Sequence, residues 1–345
     1  AEAGQSSRVV VVASAVAGVT NRLVGLIDGG ALDPDWRQNA DAIERLHLGL
    51  LEDLDVAARE PAEGWIREVV VRLANDLTSL AEGHSDTAEL RDRVLAAGER
   101  LSVPALVAIL QSRGCPARPV DGADLLVTDS HFGEAHVDLG ETRKRCQRFF
   151  GDGDTTVPVV TGFVGGDFSG RTTTLGRGGS DLSASVLGAA ADAECVEIWT
   201  DVDGVLTAPP ALVPSASRIP KMSYAEAAEL SYFGAKVLHP RTVHPLAVCG
   251  IPIHVRNTRA ASRRGTAIGP DKEHVSRVGA VAGVDEVSIL DVRARVQSED
   301  GLECRMAPWS ISGAPDEILV GCRASCDGSS LLAVPTTRVD ALCAR

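Results

Sequence analysis

Between residues 8 and 258 the chain alternates buried-strand patterns with helical ones, and this rhythm limits the folds open to it. RVVVVA (8–13), VPVVT (157–161), CVEIW (195–199) and IPIHV (251–255) are short and rich in β-branched, apolar residues. Such runs read as strands buried on both faces of a parallel sheet rather than as half-exposed alternating strands. Helical periodicity fills the gaps: 37–60 and 62–82 are charged amphipathic patterns, 86–97 continues into Gly98-Glu99, and 101–112 is apolar. Further helices are expected from near Asn21, over 140–150, after Asp181 and over 223–233. ADLLVT (123–128) reads as a strand, and Ser223 with Glu226 has capping-box spacing. Strands alternating with helices predict an α/β fold, a mostly parallel sheet sandwiched by helices.

Past residue 258 the rhythm stops. Residues 259–277 are rich in Arg, Ser, Gly and Pro and read as a linker, and 278–282, 287–292, 318–322 and 331–334 are short β-like runs. The expected domains are 1–262, a linker at 263–277 and a small β-rich unit at 278–345. No apolar run reaches the roughly 20 residues of a membrane helix, by this reading. The formal net charge of −13 argues against nucleic acid or an anionic membrane as partner. The eight cysteines lack metal-ligand spacing, so reduced thiols and a cytoplasmic location are expected.

Chemistry concentrates in TTTLGRGGSDLSAS (172–185). Glycines let a backbone approach a ligand and offer N–H groups to anionic oxygens. Arg177 can grip a carboxylate with paired hydrogen bonds, and the helix expected after Asp181 would turn its dipole toward an anion. Asp181 could hold a metal, position a lysine or cap that helix.

The motifs SAVAGVTN (14–21), GERLS (98–102), VPVVTGFVG (157–165), TTTLGRGGSDLSA (172–184), EIWTDVDGVLTA (197–208), LVPSASRIPKMSYAEAAELSYFGAKVLHP (212–240) and IPIHVRNT (251–258) strongly resemble, in order and spacing, the aspartokinases of the amino acid kinase family. The resemblance implies the amino acid kinase fold and transfer of the ATP γ-phosphate to the side-chain carboxylate of L-aspartate, giving 4-phospho-L-aspartate. It implies catalytic roles for Asp181 and Arg177. It implies amino-acid contacts by Ser14, Thr20, Glu99, Arg177, Gly178, Gly179 and Ser180, and nucleotide contacts by Gly18, Thr200, Asp201, Val205 and Lys236. ATP and Mg²⁺ are the implied cofactors, with no dedicated metal cage, and the pathway is lysine, threonine and methionine biosynthesis. The C-terminal unit would be a degenerate ACT-like domain through which a homodimer or higher oligomer forms. His239, before a proline, reads as structural.

Three departures shape the expectations. The family's opening strand carries a Lys-Phe-Gly-Gly-Thr-Ser-type motif, whereas residues 1–7 read as the tail of the helix behind it, and lysine occurs only at 144, 221, 236 and 272. The family's Asp-Pro-Arg is Pro209-Pro210-Ala211 here, and 275–345 has room for about one ACT unit. A kinase of a related amino acid in specialised metabolism, and a catalytically impaired homologue with a binding role, are therefore the alternatives.

Overall fold

The computed structural model describes residues 8–27, 35–83, 87–151, 154–232, 238–270, 280, 287–292, 323–324 and 330–335. Residues 1–7 and Lys236 lie outside them. In chain order the elements are β1 (Val11–Ala13), α1 (Val19–Ile27), α2 (Trp36–Gly49), α3 (Val56–Ala81), α4 (Thr87–Ser112), β2 (Ala117–Val120), α5 (Gly122–Leu125), β3 (Val127–Thr128), α6 (Leu139–Phe150) and β4 (Val157–Thr161). There follow β5 (Val164–Asp167), β6 (Thr172–Thr174), α7 (Gly179–Ala190), β7 (Val196–Thr200), β8 (Lys221–Ser223), α8 (Tyr224–Tyr232), α9 (Pro240–Cys249), β9 (Ile253–Asn257) and β10 (Thr266–Gly269). The C-terminal strands are β11 (Val287–Val292), β12 (Arg323–Ala324) and β13 (Ser330–Pro335).

The strands pair as three groups, β1-β4-β2, β3-β5-β6 and β7-β9-β10-β8, with an antiparallel β11-β13-β12 sheet beyond them. Parallel pairing dominates the first three, as the buried apolar runs predict; β5–β6 and β9–β10 are antiparallel. Register matters most at β1–β4. Ala13 lies opposite Thr161, and the Gly162 N–H donates to the Ala13 carbonyl at 2.9 Å. The loops leaving both strands therefore start side by side.

The largest core is helical. Leu23 of α1, Ile43 of α2, Ile66, Leu73 and Leu77 of α3, and Val94 and Leu101 of α4 are all fully buried together. A second core joins β7, β9 and β10 to α8 and α9 through Ile198, Ile253, Val255, Ile268 and Leu246.

Several boundaries differ from the sequence pattern. The pattern reads two helices, 86–97 continuing into Gly98-Glu99 and then 101–112, yet α4 runs unbroken from Thr87 to Ser112 through both Gly98 and Pro104. Gly98 is there for close approach, since a Cβ at this position would lie 2.9 Å from the Ala15 Cβ. α4 is also long and apolar enough to cross a bilayer, which the sequence pattern excludes for any run. It is mostly buried and carries Asp92, Glu99 and Arg100, which makes it a core helix. α3 continues through Pro61, so the break between α2 and α3 falls at 50–55 instead.

ADLLVT is not one strand. Asp121 accepts the Ala123 N–H and caps the short α5, leaving only Val127–Thr128 extended. The predicted linker 263–277 loses its start to β10, whose Thr266, Ala267 and Ile268 pair with Val255, His254 and Ile253. The Thr266 hydroxyl holds it further, donating to the Ile219 carbonyl and accepting the Val205 N–H. The capping box is present: the Ser223 N–H donates to Glu226 at 2.7 Å, and the Glu226 N–H to the Ser223 hydroxyl at 3.1 Å. His239 caps α9, its Nδ1 accepting the Arg241 N–H.

Because Leu101 is fully buried on the helix that all the neighbouring helices share, Leu101→Ala should cost about 2–5 kcal/mol, read as a shift of the chemical denaturation midpoint at unchanged slope.

Candidate functional site

Three loops and one helix meet at the C-terminal ends of β1 and β4. The 14–18 loop is clamped by α4, whose Ser102 hydroxyl donates to the Ser14 carbonyl at 2.8 Å. One turn away, Glu99 Oε1 accepts the Ala15 N–H at 3.1 Å. Gly18 turns the chain into α1 at φ +83°, which leaves Ser14 and Gly18 exposed and Thr20 half-buried.

At the end of β4, a Cβ on Gly162 would sit 2.9 Å from the Ser180 Cβ, so that strand end lies directly against the first turn of α7. Phe163 adopts φ +65°, which costs a non-glycine residue about 1 kcal/mol or more. Its N–H donates to the Ser183 hydroxyl and its carbonyl accepts the Leu175 N–H, both at 2.9 Å, and these bonds hold the strained corner. Arg177 then stands between two left-handed glycines, Gly176 at φ +73° and Gly178 at φ +72°. A Cβ on Gly178 would come within 2.7 Å of His239, and one on Gly179 within 2.6 Å of the Phe163 ring. This backbone is fixed by packing on both sides, whereas the Arg177 side chain is exposed with no hydrogen-bond or ion-pair partner among the described residues.

The site's electrostatics follow from burial. Glu99 is 3% exposed, and loss of solvation pushes its carboxyl from the usual 4.5 up to about 7, against the Ala15 N–H and a smaller effect of the Ser180 side chain. Glu99 Oε2 is buried without a hydrogen-bond partner. Burial also raises the Asp181 carboxyl, and no described residue bonds to it. An open guanidinium, a carboxyl with one unsatisfied oxygen and a helix N-terminus suit a small zwitterion and an adjacent anion.

The predicted nucleotide positions lie elsewhere. Thr200 ends β7, its hydroxyl donating to Asp201 at 3.2 Å and its carbonyl accepting the Thr258 hydroxyl at 3.1 Å. The same turn holds Asp203 against Asn257 at 2.8 Å and against Arg263, which lowers the Asp203 carboxyl, Asn257 first. Asp201 is exposed. No described hydrogen bond joins this turn to the 14–18 or 176–181 loops, so Gly18 belongs with the first group.

Val205 lies deeper than its motif neighbours. Its side chain is buried in the second core, its N–H goes to Thr266 and its carbonyl accepts the Ile219 N–H. Lys236 cannot be placed among the described residues.

The sequence pattern misses Ala15, Ser102 and Asp92. Asp92 is 2% exposed on α4 and accepts the Thr174 N–H and hydroxyl and the Gly133 N–H. Its signal is the seven-residue spacing to Glu99, two turns of helix.

A family model for the amino acid kinase family matches residues 1–257. Lysine-sensitive aspartokinase 3 of Escherichia coli is 38% identical over 263 residues, covering 75% of this chain and 57% of that protein. A bifunctional aspartokinase/homoserine dehydrogenase of Haemophilus influenzae is 32% identical over 330 residues, 94% of this chain and 40% of that one. The chain thus spans about half the length of the curated relatives it matches. Among solved structures, E. coli aspartokinase III in complex with aspartate and ADP superposes with a TM-score of 0.74 at 30% identity, over 95% of this chain and 72% of that one. The same protein in complex with lysine and aspartate gives 0.72. On its sequence match and its fold, the chain belongs to the amino acid kinase family.

Proposed function

We propose that the chain transfers the ATP γ-phosphate to the side-chain carboxylate of L-aspartate, giving 4-phospho-L-aspartate. The observation that carries this reading is the buried, half-satisfied carboxyl of Glu99 in the same loop assembly as the unpartnered Arg177 guanidinium. The two offer opposite charges to the ammonium and carboxylate of an amino acid's head. Its side chain then remains free to react. Aspartokinase relatives, one solved with aspartate and ADP, support the same substrates.

In this reading Arg177 donates paired N–H groups to the α-carboxylate, and Glu99, ionised, accepts from the α-ammonium through Oε2. The side-chain carboxylate oxygen forms a bond to the γ-phosphorus while the bond to the bridging oxygen breaks and ADP leaves. Charge shifts onto oxygens facing the N-terminus of α7, where the helix dipole and the Gly178 and Ser180 N–H groups favour it, the Gly179 N–H being taken by the Gly176 carbonyl. Thr200 and Asp201 are the described residues for the nucleotide. Among the described residues no three His, Cys, Asp or Glu gather as a metal cage. Mg²⁺ riding on nucleotide phosphates needs only one or two carboxylates, and the unpartnered Asp181 fits that role; the ion would neutralise charge on the phosphates. A cytoplasmic location and self-association through the C-terminal β-rich segment belong to the same reading.

The deciding experiment traps acyl phosphate as hydroxamate with Mg-ATP and a panel of aspartate, glutamate, threonine and homoserine. Hydroxamate from aspartate alone is expected; product from another amino acid, or none from any, overturns the reading. Arg177→Ala should lower kcat/KM for aspartate by about 10²-fold or more, because one charge-assisted clamp is lost.

Glu99 makes the site pH-dependent. Its folded pKa of about 7 stands above the ordinary 4.5, so the stability tied to its proton is full below pH 4.5 and is lost as pH rises through 7. Ionising this buried carboxyl in the empty protein costs about 3 kcal/mol. A bound ammonium offsets that cost, so thermal stabilisation by aspartate should be larger at pH 8 than at pH 5.5. KM for aspartate should rise below pH 7, and Glu99→Gln should flatten both dependences.

A further inference from the structure

We infer that Asp92 is a positioning residue that fixes the separation between Glu99 and Arg177, and so fits the site to the head group of one amino acid. The inference rests on the function proposed above and deepens it.

The Arg177 side chain has no described partner, so its backbone sets the point from which the guanidinium reaches into the site. That backbone is tied down three residues upstream. Thr174 donates to Asp92 twice, from its N–H at 2.7 Å and from its hydroxyl at 2.9 Å. Asp92 also accepts the Gly133 N–H at 3.0 Å. Through Gly133 it holds the 129–136 loop, whose Gly133 carbonyl and Glu134 side chain pack against Gly176. A Cβ on Gly176 would lie 3.0 Å from Glu134 Cγ and 3.2 Å from the Gly133 oxygen. One buried carboxylate therefore braces the Arg177 turn directly through Thr174 and indirectly through the loop beside Gly176.

Asp92 and Glu99 lie seven residues apart on one unbroken helix. Seven residues make about 10 Å of rise and bring the two side chains within about 20° of the same face. α4 thus acts as a ruler, gripping the 14–18 loop with Glu99 at one mark and the end of β6, which leads to Arg177, with Asp92 at the other. Asp92 itself is fully buried and accepts three hydrogen bonds from two partners, with no salt bridge to it among the described residues. Burial raises its carboxyl, so a neutral isostere costs little there.

The test titrates aspartate and, separately, Mg-ATP calorimetrically into the purified full chain and three variants. Asp92→Ala should weaken aspartate binding about tenfold or more while ATP affinity stays within about twofold. Asp92→Asn keeps an acceptor for the N–H donors and can donate to the Thr174 hydroxyl oxygen, so it should stay within about threefold of the unsubstituted protein. Thr174→Val removes only the hydroxyl bond with little change of volume, and should weaken aspartate binding by an intermediate factor. Where aspartate turns over, the loss should appear in KM rather than in kcat.

Unchanged aspartate affinity in Asp92→Ala overturns the inference, as does equal loss of aspartate and ATP binding. Should Asp92→Ala fail to fold, Thr174→Val with unchanged affinity, or Asp92→Asn with weakened affinity, overturns it equally. Failure of the unsubstituted protein to bind aspartate overturns the proposed function and this inference together, and so is distinct from a failure confined to the variants.

Discussion

The Glu99 carboxyl accepting the Ala15 N–H is the contact on which the rest of the site depends. It joins the long core helix α4 to the loop at the end of β1 and does so with a group that resists burial. Leaving Oε2 unsatisfied in the interior costs roughly 1–3 kcal/mol. A protein selected for stability alone would place an apolar residue there. The cost is borne because α4 is held on every other side: Leu101, Val94 and Ala97 pack into the helical core, and Ser102 fastens the same loop a turn later. Destabilisation confined to one atom, inside a scaffold that over-determines its position, is the arrangement expected where a ligand supplies the missing partner.

The strain at Phe163 has the same logic. Its left-handed backbone is unfavourable alone, yet both its peptide groups are bonded, to Ser183 and Leu175, and the Gly179 backbone lies against its ring. The corner brings the end of β4 and the start of α7 together closely enough that Gly162 admits no side chain beside Ser180. The glycines of the Arg177 turn thus serve packing as much as flexibility. Gly178 is under His239 and Gly176 is under Glu134, so the turn presents its arginine from a rigid mount.

Much of this was legible because local chemistry and global fold agree. Buried strands, the Ser223–Glu226 box and the helix behind the glycine loop are each set by neighbours in sequence. The failures occur where a distant contact overrules a local signal. The pattern breaks a helix after Glu99 and another at Pro61, but tertiary packing carries both helices through. Asp121 converts half of a strand-like run into a capped turn. Thr266–Gly269 has a linker's composition around it and becomes a strand because Val255 and Met222 offer open edges on either side. Asp92 was invisible because its partners are 41 and 82 residues away.

The two halves of the site are built by different means, and this difference bears on how each can change. The amino-acid side is assembled from buried contacts among β1, β4, α4 and α7, where a shift of a few tenths of an ångström meets backbone or ring atoms. The proposed nucleotide side is a turn after β7 whose Asp201 is exposed and whose Asp203 is secured by Asn257 and Arg263 at the surface. Surface ion pairs contribute little and exchange readily, whereas a braced, desolvated carboxyl does not. Pro209-Pro210-Ala211 therefore falls where the fold tolerates replacement, an exposed turn that packs nothing beneath it. In the proposed reading, selectivity for the amino acid belongs to the rigid half, in charges carried or braced by a single helix.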